Sequence, residues 1–165
     1  MFFLCLDMSG DWRYIAAVVT VRRPYFVSCS HVARVGRRRR WRIVRDLLDF
    51  VEENGYGVCV FADLRSKVKS FAVGTVNRGV VWRRALRFEL VRVRNHLMSK
   101  GYWPIDTVFA DNEFAVFRDV LVTVFRTRNV VIGKNEYVAL ADVVAYMNFR
   151  DRRFLKRYRR ISEIV

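Results

Sequence analysis

Four aspartates occupy positions where an unpaired charge is costly. Asp7, Asp63 and Asp111 each follow a short apolar run, and Asp142 lies inside a longer apolar segment. A buried carboxylate destabilises a protein unless it is paired or binds a cation. Carboxylates that converge also repel one another, and a hard divalent cation such as Mg²⁺ or Mn²⁺, which prefers oxygen ligands, relieves both costs. The pattern therefore predicts a metal site built from Asp7, Asp63, Asp111 and Asp142.

The reaction that suits such a site is displacement at a phosphodiester. Mg²⁺ keeps several waters when it binds a protein, so positions remain for a substrate phosphate. Two ions about 4 Å apart can clamp the attacking and leaving oxygens. Asp7, Asp111 and Asp142, with Asp63 as a further ligand, are the predicted catalytic residues. The sequence contains no nucleophile elbow, Walker phosphate loop or dinucleotide fingerprint that would favour another reaction.

Each aspartate also has a purely structural explanation. Asp63 could cap a turn or form a salt bridge, and Asp111 could cap a short helix. Asp7 could anchor the turn that follows it, and Asp142 could pair with an arginine on its own helix. The sequence leaves both explanations open for all four residues.

Charge points to a polyanionic partner. The 165 residues contain 31 Lys and Arg against 16 Asp and Glu, which gives a net charge of +15, and nearly all the basic residues are Arg. Neutralised phosphates release condensed counterions, and the planar guanidinium matches phosphate geometry. We expect DNA or RNA to be bound through its backbone or shape rather than through base-specific contacts. The predicted contacts are Arg37, Arg38, Arg39, Arg40, Arg83, Arg87, Arg152 and Arg153.

Other classes of protein are disfavoured. The three cysteines stand far apart without a Cys-x-x-Cys pair, and only two histidines are present, so a structural zinc site is not expected. The opening apolar run is too short for a signal peptide, and no run is long enough to span a bilayer. We expect a cytoplasmic protein with no membrane partner, and a homodimer or a nucleoprotein complex remains open.

Alternating patterns predict one α/β domain. Helical stripes are expected at 38–53, 79–98 and 137–150, the last with Leu140, Val143, Val144 and Met147 facing inward, while Phe88 is expected to face inward on the second. Trp41 fits either the apolar stripe of the first helix or a stacking surface for bases. Predicted strands cover 2–7, 13–21, 25–30, 58–61 and 107–110.

That order predicts a ribonuclease-H-like mixed sheet, with three antiparallel strands followed by two helix-linked strands and helices on both faces. Residues 64–78 are expected to form a loop or hairpin, and 120–125 and 130–132 an edge strand or ribbon. The domain should cover residues 1–152, and residues 153–165 should form a basic tail or a helix extension.

Two motifs resemble domain-of-unknown-function family 3800, a ribonuclease-H-like group. Leu6-Asp7-Met8-Ser9-Gly10-Asp11 is similar to the family's Ile-Asp-Glu-Ser-Gly-Asp opening, and Leu140-Ala141-Asp142-Val143-Val144-Ala145-Tyr146 is similar to its closing Gln-Leu-Ala-Asp-Leu-Leu-Ala helix. Strands ending in Asp63 and Asp111 lie between them, so the resemblance spans about residues 2–152. It implies a metal-dependent nuclease-like site, with Asp7, Asp111 and Asp142 as the matching acids.

The chain departs from the family at two positions. Met8 replaces the Glu of the opening motif, and Ala139 replaces the Gln before the closing Leu. Both the opening and the closing motif thus lack a polar group. The alternative to a nuclease is therefore an inactive nucleic-acid-binding module or a subunit of a nucleoprotein complex.

Overall fold

In the described part of the chain, six strands form one mixed sheet at the centre of the protein. The computed structural model describes residues 1–9, 11–24, 32–71 and 78–164. The strand order is β5-β4-β1-β2-β3-β6. β2 runs antiparallel to both of its neighbours, β1 and β3, whereas β4 runs parallel to β1, β5 to β4, and β6 to β3. The strands are β1 (Phe2–Ser9), β2 (Tyr14–Thr20), β3 (Gly55–Phe61), β4 (Ile105–Ala110), β5 (Val130–Ile132) and β6 (Ile161–Ile164).

Helices cover both faces of this sheet. The alternation of β1 places Leu4 and Leu6 in a core with α3 and α4, and it places Cys5 in a second core with α1 and α5. The helices are α1 (Arg37–Asn54), α2 (Leu64–Phe71), α3 (Arg78–Ser99), α4 (Arg118–Phe125), α5 (Glu136–Arg150) and α6 (Arg152–Leu155), with 3-10 turns at Val32–Arg34 and Asn112–Phe117.

The helix that carries Asp142 is held firmly against the sheet. Asn135 caps α5, since its side-chain oxygen accepts hydrogen bonds from the backbone N–H groups of Tyr137 and Val138 at 3.0 and 2.9 Å. The predicted inward stripe is confirmed, because all four of its residues are buried: Leu140, Val143, Val144 and Met147. A helix apolar on most of its surface fits this position because α5 packs on the sheet and also on α1.

The predicted ribonuclease-H-like arrangement is confirmed, with corrections to single elements. The third antiparallel strand is β3, which follows α1, and the strand predicted at 25–30 lies outside the described residues. The expectation of a strand at 120–125 is wrong, because this segment belongs to α4, whereas 130–132 does form an edge strand. Residues 64–71 form α2 rather than a loop or hairpin.

The end of the chain contributes to the sheet. Residues 153–165 were expected to form a tail or a helix extension. This segment instead includes the end of α6 and all of β6. β6 pairs with β3 from Gly57 to Val60. None of the helices in the described ranges combines the length and the apolar character needed to cross a bilayer.

Candidate active site

Two carboxylates meet at the carboxyl ends of β1 and β4. Leu6 of β1 lies opposite Ala110 of β4 in the parallel register, so Asp7 and Asp111 follow on neighbouring strands. The backbone N–H of Asp111 donates to the carbonyl oxygen of Leu6 at 3.3 Å, which joins the two strand ends. Asp7 shares the face of Cys5, the face against which α5 packs. The topology therefore brings Asp142 of α5 over the same place.

Asp7 is the most unusual acid of the three. It is 2% exposed. Burial raises the pKa of Asp7 to about 9, and the charge of Asp142, the charge of Asp111 and a side-chain hydrogen bond with Asp142 act in the same direction. A 2.8 Å hydrogen bond from the backbone N–H of Met8 to Asp7 Oδ1 opposes them. In the absence of a cation, the net effect favours the protonated form of Asp7, which is hydrogen-bonded to Asp142.

The other two carboxylates also accept backbone hydrogen bonds. Asp111 Oδ1 accepts from the N–H of Asn112 at 2.9 Å and caps the following 3-10 turn, the structural role considered for it from sequence. Asp142 Oδ2 accepts from the N–H of Val32 at 3.0 Å. These bonds constrain both carboxylates, and the carboxyl of Asp142 also forms a hydrogen bond with Asp7.

Asp63 lies apart from the other three aspartates. It follows β3, two strands from β1, which corresponds to roughly 10 Å across the sheet. Its backbone has φ +43°, and its carbonyl oxygen accepts a 3.1 Å hydrogen bond from the N–H of Lys67 at the start of α2. Asp7, Asp111 and Asp142 therefore form the cluster, and the ligand role of Asp63 remains a prediction.

Asp7 and Asp142 suit a divalent ion in chemistry but do not form a complete cage. Among the described residues, no group of three or more His, Cys, Asp or Glu side chains is placed to hold a metal ion. Mg²⁺ commonly uses one or two carboxylates and completes its octahedron with water and substrate phosphate. A hydrogen-bonded pair of acids, one with a raised pKa, fits that requirement, because the ion would replace the shared proton.

The replacement of the family's Glu by Met8 does not remove a ligand from this site. Met8 is 7% exposed and packs with Leu4 and Leu6, on the face of the sheet opposite Asp7. The side chain of a Glu at this position would point to the sheet face opposite the carboxylate cluster. Ala139, 6% exposed, packs in the core around α5. Neither position supplies a group directed at Asp7.

The basic stretch at the start of α1 lies at the same edge of the sheet. The preceding 3-10 turn bonds to Asp142, while α1 ends at Asn54, whose carbonyl accepts from Val21 just beyond the end of β2. Arg37, Arg38 and Arg39 are exposed there. Exposed guanidinium groups beside a carboxylate cluster are suitably placed to hold a phosphate backbone.

Arg40 makes several contacts within the protein. Its guanidinium donates to the carbonyl oxygens of Val35 and Ala33, and Nη1 donates to Tyr146 Oη at 3.1 Å. These bonds tie the loop before α1 to α5 one turn beyond Asp142. Tyr146 was not singled out from sequence, although its spacing of four residues from Asp142 places both on one side of α5.

A groove of about 460 Å³ extends from this basic stretch. Arg37, Trp41, Tyr146 and Arg150 are among the residues that line it. Trp41 is 42% exposed and makes an edge contact with Phe154 at 5.5 Å. Its ring therefore contributes partly to packing and is partly at the surface, and its stacking on bases stays a prediction.

The remaining predicted arginines are divided between two sides of the sheet. Arg83 and Arg87 lie on α3, on the side opposite α5, and Arg83 donates to Asp119 Oδ2 at 3.3 Å and to the Val116 carbonyl at 3.0 Å. Arg152 and the exposed Arg153 lie on α6, on the side of α5. All eight arginines remain predictions as nucleic-acid contacts.

The fold is shared with a known nuclease structure. No family model matches the chain, so the resemblance to family 3800 is not confirmed. No curated protein matches it in sequence either. The chain is similar to a structure of the PCNA–RNase HII complex from Archaeoglobus fulgidus, with a TM-score of 0.55 and 11% sequence identity over 95% of this chain and 77% of that chain. At this identity the likeness establishes the ribonuclease-H-like fold and does not transfer the activity.

Proposed function

We propose that this protein binds nucleic acid and hydrolyses its phosphodiester bonds with the help of Mg²⁺ or Mn²⁺ held by Asp7 and Asp142. The observation that carries the proposal is the buried pair itself, in which a pKa of about 9 marks a carboxyl that is costly to ionise without a cation. An acid cluster inside a protein of net charge +15 is not accounted for by solubility. Membership in family 3800 is part of the same proposal.

Each element of the site has a separate task in this reaction. Asp7 and Asp142 supply oxygen ligands, and Asp111 adds a third negative charge beside them. Arg37, Arg38 and Arg39 hold the phosphate backbone of DNA or RNA at the same edge of the sheet. A bound ion would lower the pKa of water and would stabilise the negative charge that develops on the phosphate. Asp63 is a candidate further ligand if substrate binding brings it closer.

A second candidate function is an inactive nucleic-acid-binding module. The observation that favours it is that, in the described ranges, no three His, Cys, Asp or Glu side chains are placed to hold a metal ion. A proton shared by Asp7 and Asp142 would then be the permanent state of the pair. In this case the basic surface binds DNA or RNA and the acids have a structural role only.

A cleavage assay separates the two candidates. Labelled single-stranded, duplex and DNA–RNA hybrid substrates are incubated with Mg²⁺, Mn²⁺ or EDTA. The variant Asp142→Asn keeps the size of the side chain and removes its charge, while Asp46→Asn changes an exposed aspartate on α1 and serves as the matched control. We expect cation-dependent cutting that falls at least about a hundredfold in Asp142→Asn and is unchanged in Asp46→Asn.

Two results would contradict the nuclease proposal. Binding without cutting under either cation would favour the inactive module. Cutting that persists in EDTA or in Asp142→Asn would mean that the acid pair is not the site of the reaction.

A further inference from the structure

A second cavity lies on the same face of the sheet as the carboxylate cluster. It has a volume of about 330 Å³, within the usual range for small-molecule pockets. It lies at β2, β3 and β6, beside the end of α5 and the start of α6. The residues that define its chemistry are Tyr14, Cys59, Phe61, Asn148, Arg152 and Glu163.

The first sign of a binding site is an unsatisfied polar side chain. Asn148 is 1% exposed, and no group in the described part of the chain donates a hydrogen bond to its Oδ1. Leaving a buried polar atom without a partner costs free energy, so native proteins rarely keep one without a reason. Nearby, Ser9 lies opposite Tyr14 in the β1–β2 register, and its buried Oγ also has no partner in the described ranges.

A donor and an acceptor lie side by side next to Asn148. Arg152 Nε is 3.9 Å from a carboxylate oxygen of Glu163 and donates to the carbonyl oxygen of Asn148 at 3.1 Å. The guanidinium also lies over the ring of Tyr14, 5.0 Å from its centroid, and donates to its hydroxyl. The side chains of Arg152 and Glu163 are 46% and 37% exposed, so both can contact a ligand.

An aromatic surface completes the cavity. Phe61 is 52% exposed, and its ring centroid lies 5.3 Å from that of Tyr14. The exposed ring presents a flat apolar face at the end of a central strand, where a ligand in the cavity can stack on it. Flat aromatic rings next to paired hydrogen-bonding groups are the usual means of binding an unstacked base.

We infer that this cavity binds a nucleobase, with guanine as the best match, stacked on Phe61 and hydrogen-bonded to Arg152, Glu163 and the carboxamide of Asn148. Guanine presents an acceptor, O6, beside two donors, N1–H and the 2-amino group, which complements an Arg next to a Glu. The inference rests on the proposed function where the base belongs to DNA or RNA. A free guanine nucleotide offers the same chemistry.

The position of the cavity gives such binding a use. Asn148 follows Asp142 by six residues on α5, about 9 Å along the helix axis. Tyr14 and Cys59 share a sheet face with Asp7, through the pairs Ser9–Tyr14 and Ala16–Cys59. A strand whose unpaired base occupied this cavity would therefore pass its adjacent backbone near the carboxylate cluster. The proposal adds base preference to a protein otherwise expected to read only backbone and shape.

Binding measurements in EDTA test this without interference from cleavage. Fluorescence anisotropy compares labelled oligothymidylate with the same oligomer that carries one central guanine or one hypoxanthine. Phe61→Ala removes the stacking ring, and Phe149→Ala, which removes an exposed ring of α5, is the control. Glu163→Gln removes the acceptor charge, and Glu53→Gln on α1 is its control.

We expect guanine to strengthen binding, and Phe61→Ala to weaken binding of the guanine oligomer roughly tenfold. Hypoxanthine lacks the 2-amino donor, so it should bind less tightly than guanine to the original protein, and this difference should become smaller in Glu163→Gln. The control variants should behave like the original protein. The inference is wrong if guanine gives no preference, or if Phe61→Ala and Phe149→Ala bind alike.

Titration with guanosine and uridine monophosphates distinguishes the sources of the base. Guanosine monophosphate that binds in a Phe61-dependent way, beside oligonucleotides that do not bind, would keep the inference and overturn the proposed function. Oligonucleotide binding that depends neither on base identity nor on Phe61 would overturn the inference and leave the proposed function standing. Failure of every ligand to bind would overturn both.

Discussion

At the scale of single residues, the decisive feature is that Asp7 has no inexpensive way to be charged. It lies on a central strand, accepts one backbone hydrogen bond, and faces Asp142 and Asp111. A surface carboxylate would simply be solvated, whereas this one must hold a proton or a cation. The same alternation that buries Asp7 turns Met8 to the opposite core, so the residue next to it in sequence does not share its environment.

The raised pKa of Asp7 makes stability depend on pH in a definite direction. In the unfolded chain the carboxyl returns to its ordinary value of 3.8, whereas in the folded protein the pKa is about 9. Between these values the folded state holds a proton that the unfolded state has lost, so raising the pH favours unfolding. In EDTA we expect the free energy of unfolding to fall with pH in this window, by at most about 1.4 kcal/mol per unit from this group.

Asp7→Asn supplies the comparison, because an amide keeps the shape and cannot ionise. Urea unfolding of both proteins at pH 5 and pH 8 gives the difference, in which the contributions of titrating groups that do not interact with Asp7 cancel. The variant should gain stability relative to the original protein as the pH rises. A difference that does not change between pH 5 and pH 8 would show that Asp7 titrates normally.

At the scale of elements, sequence patterns located most helices and strands but could not assign every helical face. Phe88 was expected to face inward on α3, and this was wrong, since it is 64% exposed while Leu86 and Leu90 are buried. The inward position next to it is taken by Glu89, which is fully buried. A pattern of apolar residues cannot predict a buried acid, because a partner of that acid can come from a different segment. One of them, Lys67, lies on α2, which was not foreseen as a helix.

The contact between α2 and α3 therefore depends on charge. Glu89 accepts from Lys67 Nζ at 2.6 Å and from Arg92 Nη1 at 2.8 Å. Lys67→Met keeps the alkyl stem and removes one donor from a buried carboxylate, so we expect a loss of about 1–3 kcal/mol in the free energy of unfolding. Lys156→Met changes an exposed lysine after α6 and should cost little. Urea unfolding of both variants measures the difference, and equal values would contradict a role for Lys67 in holding α2.

At the scale of the whole molecule, the ribonuclease-H-like arrangement was predictable from the sequence, whereas a shared site of Asp7, Asp63, Asp111 and Asp142 stays a prediction. Strand ends carrying Asp7 and Asp111 on parallel neighbours must lie at one edge, so their proximity follows from topology alone. The cavity around Asn148 was not predictable, because its walls come from β2, β3, β6 and α5, and β6 was hidden in a segment that reads as a basic tail. Neighbours set by long-range pairing leave no local pattern.

The distribution of charge over the molecule gives the last prediction. Arg38 and Arg39 are exposed at the edge of the sheet that carries the acids, whereas Lys100 and Arg128 are exposed at the opposite edge, on either side of β4 in sequence. Each phosphate that a basic residue neutralises steepens the dependence of binding on salt. Replacing Arg38 and Arg39 by Gln should weaken binding and reduce the slope of log affinity against log salt by about 2 in magnitude.

Replacing Lys100 and Arg128 removes the same charge and should leave the slope nearly unchanged, because these residues lie far from the proposed path of the strand. Anisotropy titrations at several salt concentrations measure both slopes. Equal reductions in the two double variants would mean that the net charge of +15 acts as a diffuse field, and that no particular edge of the sheet forms the nucleic-acid surface.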